Sequence, residues 1–266
     1  MVACAILLAV GLPIFEQATN SVAARIAGVD PAVCLSRFVD YPPAKGNPFR
    51  PNPKFWLKDV DFSCVSPWND SCGVLRAGTL ISRRHIVCAA HFPLWEGVRI
   101  IFTDNELGSC PCRIAKTKKI EGTDIQVAAL DAEVTPNIHP AKLLPDDYEK
   151  HIGDGNGLPV VTFNQREEAF LTELNAISTN LTFRRLGSHK SADAARASLR
   201  KPIVIGDSGN PAFLLIGSRP VLLYCLKQGG YGSGFALFRY RREIQAAMDE
   251  LCPGYRLETF DFTSGR

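Results

Sequence analysis

The most constraining stretch of this sequence is a turn-forming hexapeptide, Gly206 to Pro211, which lies between two apolar runs. Glycines two positions before and one position after Ser208 leave the backbone free to turn tightly and to point its N–H groups outward. A serine hydroxyl is a weak nucleophile unless a base lies beside it and N–H donors face the oxyanion that attack creates. We therefore interpret Ser208 as a nucleophile, with the backbone N–H groups of Gly206 and Ser208 as its oxyanion hole. An ordinary turn is the alternative, since the same residue types dominate turns.

Two partners for such a nucleophile stand upstream. His91 follows an apolar run and two alanines, where a strand is expected to end. Asp124 starts a segment in which every second residue is apolar, which places its carboxylate at a strand start. From there Asp124 can accept a hydrogen bond from His91, fixing the imidazole tautomer and stabilising the imidazolium as Ser208 loses its proton. Asp131 is the rival acid, but it stands at the end of that strand.

The order and the sequences of these three motifs resemble those of a known protein family. The order His, Asp, Ser is that of the chymotrypsin-type triad and differs from the subtilisin and α/β-hydrolase orders. Ala-Ala-His, Asp-Ile-x-Val and Gly-Asp-Ser-Gly-x-Pro are typical of trypsin/chymotrypsin-like serine proteases, and the chain resembles a divergent, bacterial-type member over residues 73–251. The resemblance implies an all-β fold of two packed six-stranded antiparallel β-barrels with a C-terminal α-helix over 240–251. It also implies a serine endopeptidase that works through an acyl-enzyme intermediate and needs no cofactor.

Length and charge agree with one such enzyme. The chain has 266 residues, 46% of them apolar, which is enough to bury a sizeable core. Its net charge is only +3, which gives no reason to expect nucleic acid or a membrane surface as a partner. We expect a monomer that acts on a protein or peptide substrate.

The N-terminal region divides into two predicted segments. Residues 1–24 combine an apolar run with a small-residue site, which predicts a signal peptide, a secreted or periplasmic protein, and no stable membrane insertion after its removal. A mis-assigned start or a short buried apolar segment is the alternative. Residues 25–55 are rich in proline and predict an extended arm or pro-segment. The stretch after Arg25 resembles the family's activation site, where cleavage frees an Ile amino group that pairs with the aspartate before the serine. The first barrel is expected over 56–150 and the second over 151–266.

Nine cysteines agree with export. Eight would remain after signal removal, an even number that suits disulfides but leaves their connectivity open. A zinc site is disfavoured, because a single residue separates Cys110 from Cys112 and no histidine cluster accompanies them. Cys88 and Cys225 lie within apolar runs and are either bridged or free buried thiols. The histidines without the two preceding alanines are interpreted as structural: His85, His139, His151 and His189.

Substrate preference is predicted from three positions. Pro202 stands six residues before Ser208, where trypsin-like members carry an aspartate. Without that carboxylate a buried substrate Lys or Arg would be unpaired, so cleavage after basic residues is disfavoured. Neutral side chains, or acidic ones drawn by Lys201 or Lys227, are the alternatives. Gly229 matches the family's substrate-binding glycine, and Lys227 stands where the family usually has a serine.

Two other functions stay open at this point. A catalytically inactive binding module could use the same fold, because a fold does not guarantee chemistry. An esterase would use the same triad on other acyl substrates. All three triad positions are filled, which favours the peptidase.

Overall fold

The protein is built mainly from β-strands in two sheets that pack on each other. The computed structural model describes residues 14–41, 49–66, 69, 75–106, 108–175, 177, 185–227 and 230–263. A cluster of aromatic rings joins the two sheets: Phe62, just before the first strand, lies 4.9 Å from Phe163 and 5.4 Å from Phe213 between ring centroids. Both partners belong to the second sheet, and all three rings are buried.

The first sheet is antiparallel and nearly closes into a barrel. Its strands are β1 (Val65–Ser66), β2 (Gly78–Ser82), β3 (His85–Ala89), β4 (Arg99–Thr103), β5 (Ser109–Lys119) and β6 (Ile125–Leu130). They pair in the order β1-β2-β3-β6-β5-β4. The edge strands β1 and β4 lie close to each other. The Ser66 hydroxyl donates to the Ile101 carbonyl, and Asn69 forms a bridge with Ile100. This sheet agrees with the predicted first barrel.

The second sheet differs from the prediction. Its strands are β7 (Lys142–Leu143), β8 (Pro159–Phe163), β9 (Ala169–Leu174), β10 (Arg185–His189), β11 (Pro211–Ile216), β12 (Arg219–Cys225) and β13 (Ser233–Phe235). The order is β13-β10-β9-β8-β11-β12-β7, with seven strands, and β7 runs parallel to β12. The expected six-stranded antiparallel barrel is therefore a mixed, open sheet. The physical reason is that the connector leaving the first sheet lies along β12 and covers an edge that would otherwise expose unpaired backbone groups.

The protein contains several helices in addition to the predicted C-terminal one. They are α1 (Ile14–Ile26), α2 (Pro31–Cys34), α3 (Glu149–Ile152), α4 (Ala194–Ser198) and α5 (Arg241–Leu251). The predicted terminal helix is confirmed as α5, whose Ile244, Ala247 and Met248 are buried on one stripe. No helix in the described part of the chain is long and apolar enough to cross a membrane.

Helix α1 overlaps the predicted signal peptide. Residues 1–13 lie outside the described residues, and residues 14–24 form most of α1. Ala18 and Val22 are buried, and the Ser21 hydroxyl accepts a hydrogen bond of 2.9 Å from the Gly217 N–H in the turn after β11. The helix therefore packs against the second sheet, while signal cleavage and export stay predictions.

The predicted extended arm over residues 25–55 is partly helical, because it includes the end of α1 and all of α2, and the segment after α2 contacts the second sheet. Ser36 forms a bridge with Glu168, next to β9 of the second sheet. The indole Nε1 of Trp56 donates to the Ala169 carbonyl at 2.9 Å, and the Trp56 ring is buried. Residues 42–48 of the arm lie outside the described residues. The arm thus packs on the sheets over the part that the structure describes.

Candidate active site

The structure brings the three predicted catalytic side chains together. His91 Nδ1 lies 2.6 Å from Asp124 Oδ2, and His91 Nε2 lies 2.9 Å from Ser208 Oγ. His91 and Asp124 come from the first sheet, and Ser208 precedes β11 of the second. The chain of hydrogen bonds therefore spans the junction of the two sheets.

Pairing of β3 with β6 places His91 beside Asp124. The last pair of this ladder joins Ala89 to Ile125, and the Ala90 N–H then donates to the Asp124 carbonyl at 2.9 Å. One residue further, the backbone N–H of His91 donates to Asp124 Oδ1 at 2.7 Å. The apolar residues of both strands are buried, so this register is fixed by the core.

The Asp124 carboxylate determines which nitrogen of His91 carries the proton. Each of its oxygens accepts one hydrogen bond from His91, and its side chain is only 8% exposed. A carboxylate can only accept, so the proton lies on Nδ1 and leaves Nε2 free to accept from the Ser208 hydroxyl. The rival acid, Asp131, accepts a hydrogen bond of 2.8 Å from the Arg113 N–H on β5. In the described part of the chain Asp131 makes no hydrogen bond to His91, so the geometry favours Asp124.

The loop around Ser208 is held in a conformation that requires glycine. Gly206 has φ +101° and Gly209 has φ +87°. The Gly209 N–H donates to the Leu226 carbonyl at 2.8 Å, and the Leu226 N–H donates back to the Asn210 carbonyl at 2.8 Å, which ties the loop to the end of β12. The N–H groups of Gly206 and Ser208 donate to no other described residue. That these two N–H groups form an oxyanion hole stays a prediction.

Asp207 lies beneath this loop and has both oxygens occupied. Only 1% of the residue is exposed. Its Oδ2 accepts from the Val204 N–H at 2.8 Å, and its Oδ1 accepts from the Gln165 N–H at 3.1 Å. Burial raises the pKa of the Asp207 carboxyl above its ordinary value, and these two N–H donors oppose the rise. Gln165 could not be predicted from the sequence, because a polar turn between two apolar strands does not show which distant carboxylate it faces.

The residues predicted to bind substrate lie in different settings. Pro202 is exposed, and the neighbouring Ile203 forms a bridge with Gly230. The Lys227 ammonium lies 5.2 Å from the centroid of the Phe235 ring. Gly229 lies outside the described residues.

Three large apolar side chains close in sequence to Ser208 or His91 are exposed. Val204 is 53% exposed and Ile205 is fully exposed, immediately before Gly206. Trp95, four residues after His91, is 45% exposed. Lys201 was one candidate for attracting acidic substrates, but its ammonium lies 3.3 Å from the Glu168 carboxylate and is paired.

The described cysteines are all free thiols. Six of them are buried and Cys252 is partly exposed, while Cys4 and Cys72 lie outside the described residues. The disulfides expected from the cysteine count therefore join no two of these seven. Cys88 donates to the Gln126 side chain at 2.9 Å, and burial raises the pKa of its thiol to about 12. Cys110 and Cys112 face each other with their sulfur atoms 4.0 Å apart.

Neither a scan against protein-family models nor a search of curated proteins finds a match to this chain. The mostly β architecture with one nearly closed barrel is compatible with a chymotrypsin-like fold. The link to that family rests on the three motifs, on this architecture and on the arrangement of His91, Asp124 and Ser208.

Proposed function

We propose that the protein is a serine endopeptidase with a chymotrypsin-like arrangement of two β-domains. The observation that carries the proposal is the continuous hydrogen-bonded chain Asp124–His91–Ser208, with distances of 2.6 and 2.9 Å. A nucleophile, a base and an orienting acid within hydrogen-bond reach form the arrangement that acyl transfer requires.

The proposed reaction has two halves. Ser208 Oγ attacks the carbonyl carbon of the scissile bond and gives its proton to His91 Nε2, while Asp124 stabilises the imidazolium. The carbonyl oxygen becomes an oxyanion that accepts from the N–H groups of Gly206 and Ser208. Collapse of this intermediate breaks the C–N bond, and His91 passes its proton to the departing amine. Water then attacks the acyl-enzyme by the same steps and releases the acid.

Substrate preference follows from the loop before Ser208. Residues 202–206 carry no charged side chain, and the carboxylate of Asp207 is buried and faces Val204 and Gln165. A substrate Lys or Arg would therefore find no partner there, and its desolvation would be unfavourable. The exposed Val204 and Ile205 favour apolar or other neutral side chains on the substrate.

A peptide library tests this proposal. The wild-type protein is expected to cleave after neutral residues, and Ser208→Ala and His91→Ala are each expected to lose cleavage by roughly a thousandfold or more. Ser198→Ala is a matched control, because its hydroxyl donates to the Ala195 carbonyl on an exposed helix away from the site. Strong cleavage after Arg would contradict the predicted preference. Hydrolysis of esters but of no peptide would favour the esterase, and no hydrolysis of either would favour the binding module.

A further inference from the structure

One turn in the second sheet combines two unfavourable features. Residues 164–168 connect β8 to β9, and the Glu167 N–H donates to the Asn164 carbonyl at 3.0 Å to close a turn over residues 164–167. Glu167 has φ +56°, and it is the one non-glycine residue with positive φ in the described part of the chain. This left-handed conformation favours glycine, so a glutamate here strains the backbone.

The Glu167 side chain is the second unfavourable feature, because it is a buried charge. Only 1% of Glu167 is exposed, and its Oε2 lies 3.2 Å from the guanidinium of Arg37, which is itself 9% exposed. Its other oxygen, Oε1, has no hydrogen-bond partner among the described residues. Removing two charges from water is costly even when they pair. Strain and buried charge that persist together indicate a role for the residue that causes both.

Arg37 connects this turn to the rest of the molecule. The arm that carries it pairs with the turn, since the Arg37 N–H donates to the Glu167 carbonyl at 2.9 Å. The Arg37 side chain also donates to the Thr103 carbonyl, at 3.4 Å, at the end of β4 in the first sheet. One arginine of the N-terminal arm thus fixes the turn relative to both sheets.

The same turn reaches the nucleophile loop. Gln165 is the second residue of the turn, and its N–H donates to the buried Asp207 carboxylate at 3.1 Å. A carboxylate held by backbone N–H groups forms charge-assisted hydrogen bonds, which are stronger and more directional than neutral ones. Asp207 stands between Gly206 and Ser208, whose N–H groups form the proposed oxyanion hole. The turn therefore contacts the side chain of the residue that lies between the two proposed oxyanion donors.

We propose that Arg37 and Glu167 are positioning residues for the oxyanion hole, and that they act through the Gln165 N–H and the Asp207 carboxylate. This inference rests on the proposed function. It also means that the uncut chain already supplies the donors that Asp207 needs, so that cleavage after Arg25 is not required. The Arg25 guanidinium is held by Asp59 at 3.0 Å, and Ile26 is buried at the end of α1.

Two substitutions at one position test the Gln165 contact. Gln165→Pro removes the N–H, and proline suits the second position of a β-turn. Gln165→Ala keeps the N–H and removes only the side chain. We expect the proline variant to react with a fluorophosphonate roughly tenfold more slowly than the alanine variant, a partial loss of oxyanion stabilisation. Equal rates in the two variants would overturn the proposal.

A second pair of variants tests the ion pair. Arg37→Met with Glu167→Gln removes both charges but keeps a side chain that disfavours positive φ, and we expect about a tenfold loss in kcat at nearly unchanged KM. Arg37→Met with Glu167→Gly should recover the rate to within about threefold of wild type, because glycine adopts this φ without an anchor. Wild-type rates in the Gln variant, or no recovery in the Gly variant, would contradict the positioning role. The His91 Nδ1 proton resonance should be kept in both, which separates positioning from a collapse of the triad.

The intact mass of the labelled protein tests whether the protein reacts without cleavage after Arg25. The uncut wild-type chain and Arg25→Gln should be labelled at the same rate. Labelling that occurs only after cleavage following Arg25 would overturn the inference while supporting the proposed function. If neither form reacts under any condition, the proposed function itself fails.

Discussion

The two halves of the candidate site are held in different ways. In the first sheet, His91 and Asp124 are neighbours because β3 and β6 are paired up to Ala89 and Ile125. In the second sheet, the loop of Ser208 is held by single contacts from distant segments, among them Leu226 at the end of β12 and Gln165 in another turn. A continuous sheet ladder therefore holds the proposed base and its acid, whereas the proposed nucleophile depends on a few individual hydrogen bonds.

The largest expected effect is in the half of the site that the ladder holds. Asp124→Asn should leave the fold unchanged but lower kcat about 10⁴-fold, because an amide can donate to Nδ1 and favours the wrong tautomer. Asp131→Asn is the matched control, since its carboxylate accepts from the Arg113 N–H and not from His91. Steady-state kinetics on a peptide would measure both. A similar loss in the two variants would mean that the acid has been assigned to the wrong residue.

A smaller effect is expected in the nucleophile loop. Gly206→Ala should lower kcat by roughly 10²-fold, because it strains the residue that supplies one oxyanion donor. Gly206 has φ +101°, and an added Cβ would lie 2.9 Å from the Gln165 side chain.

Gly217→Ala is the matched control for Gly206→Ala. Gly217 also has positive φ, at +65°, but a Cβ there meets nothing within 4 Å and lies in the turn after β11. This variant should lose about 1 kcal/mol of stability and keep its kcat. If both variants kept full activity, strain at residue 206 would not disturb the proposed oxyanion donor.

A substitution in helix α1 tests whether the N-terminal region contributes to the stability of the folded protein. Val22→Ala removes a fully buried side chain and should lower the free energy of unfolding by about 2 kcal/mol. Val33→Ala, at a position that is 41% exposed, should change it by less than about 0.5 kcal/mol. Denaturant unfolding of the full chain measures both. Equal stabilities of the two variants would show that α1 contributes little to the folded state.

The smallest effect concerns pH and the first sheet. His85 on β3 is fully buried, and burial lowers the pKa of its imidazole from about 6.5 to about 4. The unfolded chain therefore binds this proton more readily, and the folded state loses stability as pH falls below 6.5. We expect a loss of about 1 kcal/mol between pH 6.5 and about pH 5.5. His85→Gln should flatten the curve in this interval, and an unchanged slope would assign the pH dependence to another group.

Features that depend on local sequence patterns could be predicted from the sequence, whereas features that depend on single long-range contacts could not. The meeting of His91, Asp124 and Ser208 was predictable because each residue stands in a short local motif, and the period-2 pattern after Asp124 marked the strand that positions it. Helix α5 was predictable from its apolar stripe. The parallel strand β7 was not, because two residues of a connector carry no strand pattern of their own. Nor was the contact of Gln165 with Asp207, because the two residues lie far apart in sequence and meet only after β8, β9 and β11 have paired.

The central claim is that Ser208 is an activated nucleophile in the uncut chain. Its most direct test is intact-protein mass spectrometry after incubation with a fluorophosphonate, followed by mapping of the modified peptide. We expect a single adduct on Ser208 in the wild-type chain, and none in Ser208→Ala or His91→Ala. An adduct on a different serine, or the same extent of modification in His91→Ala as in wild type, would contradict it.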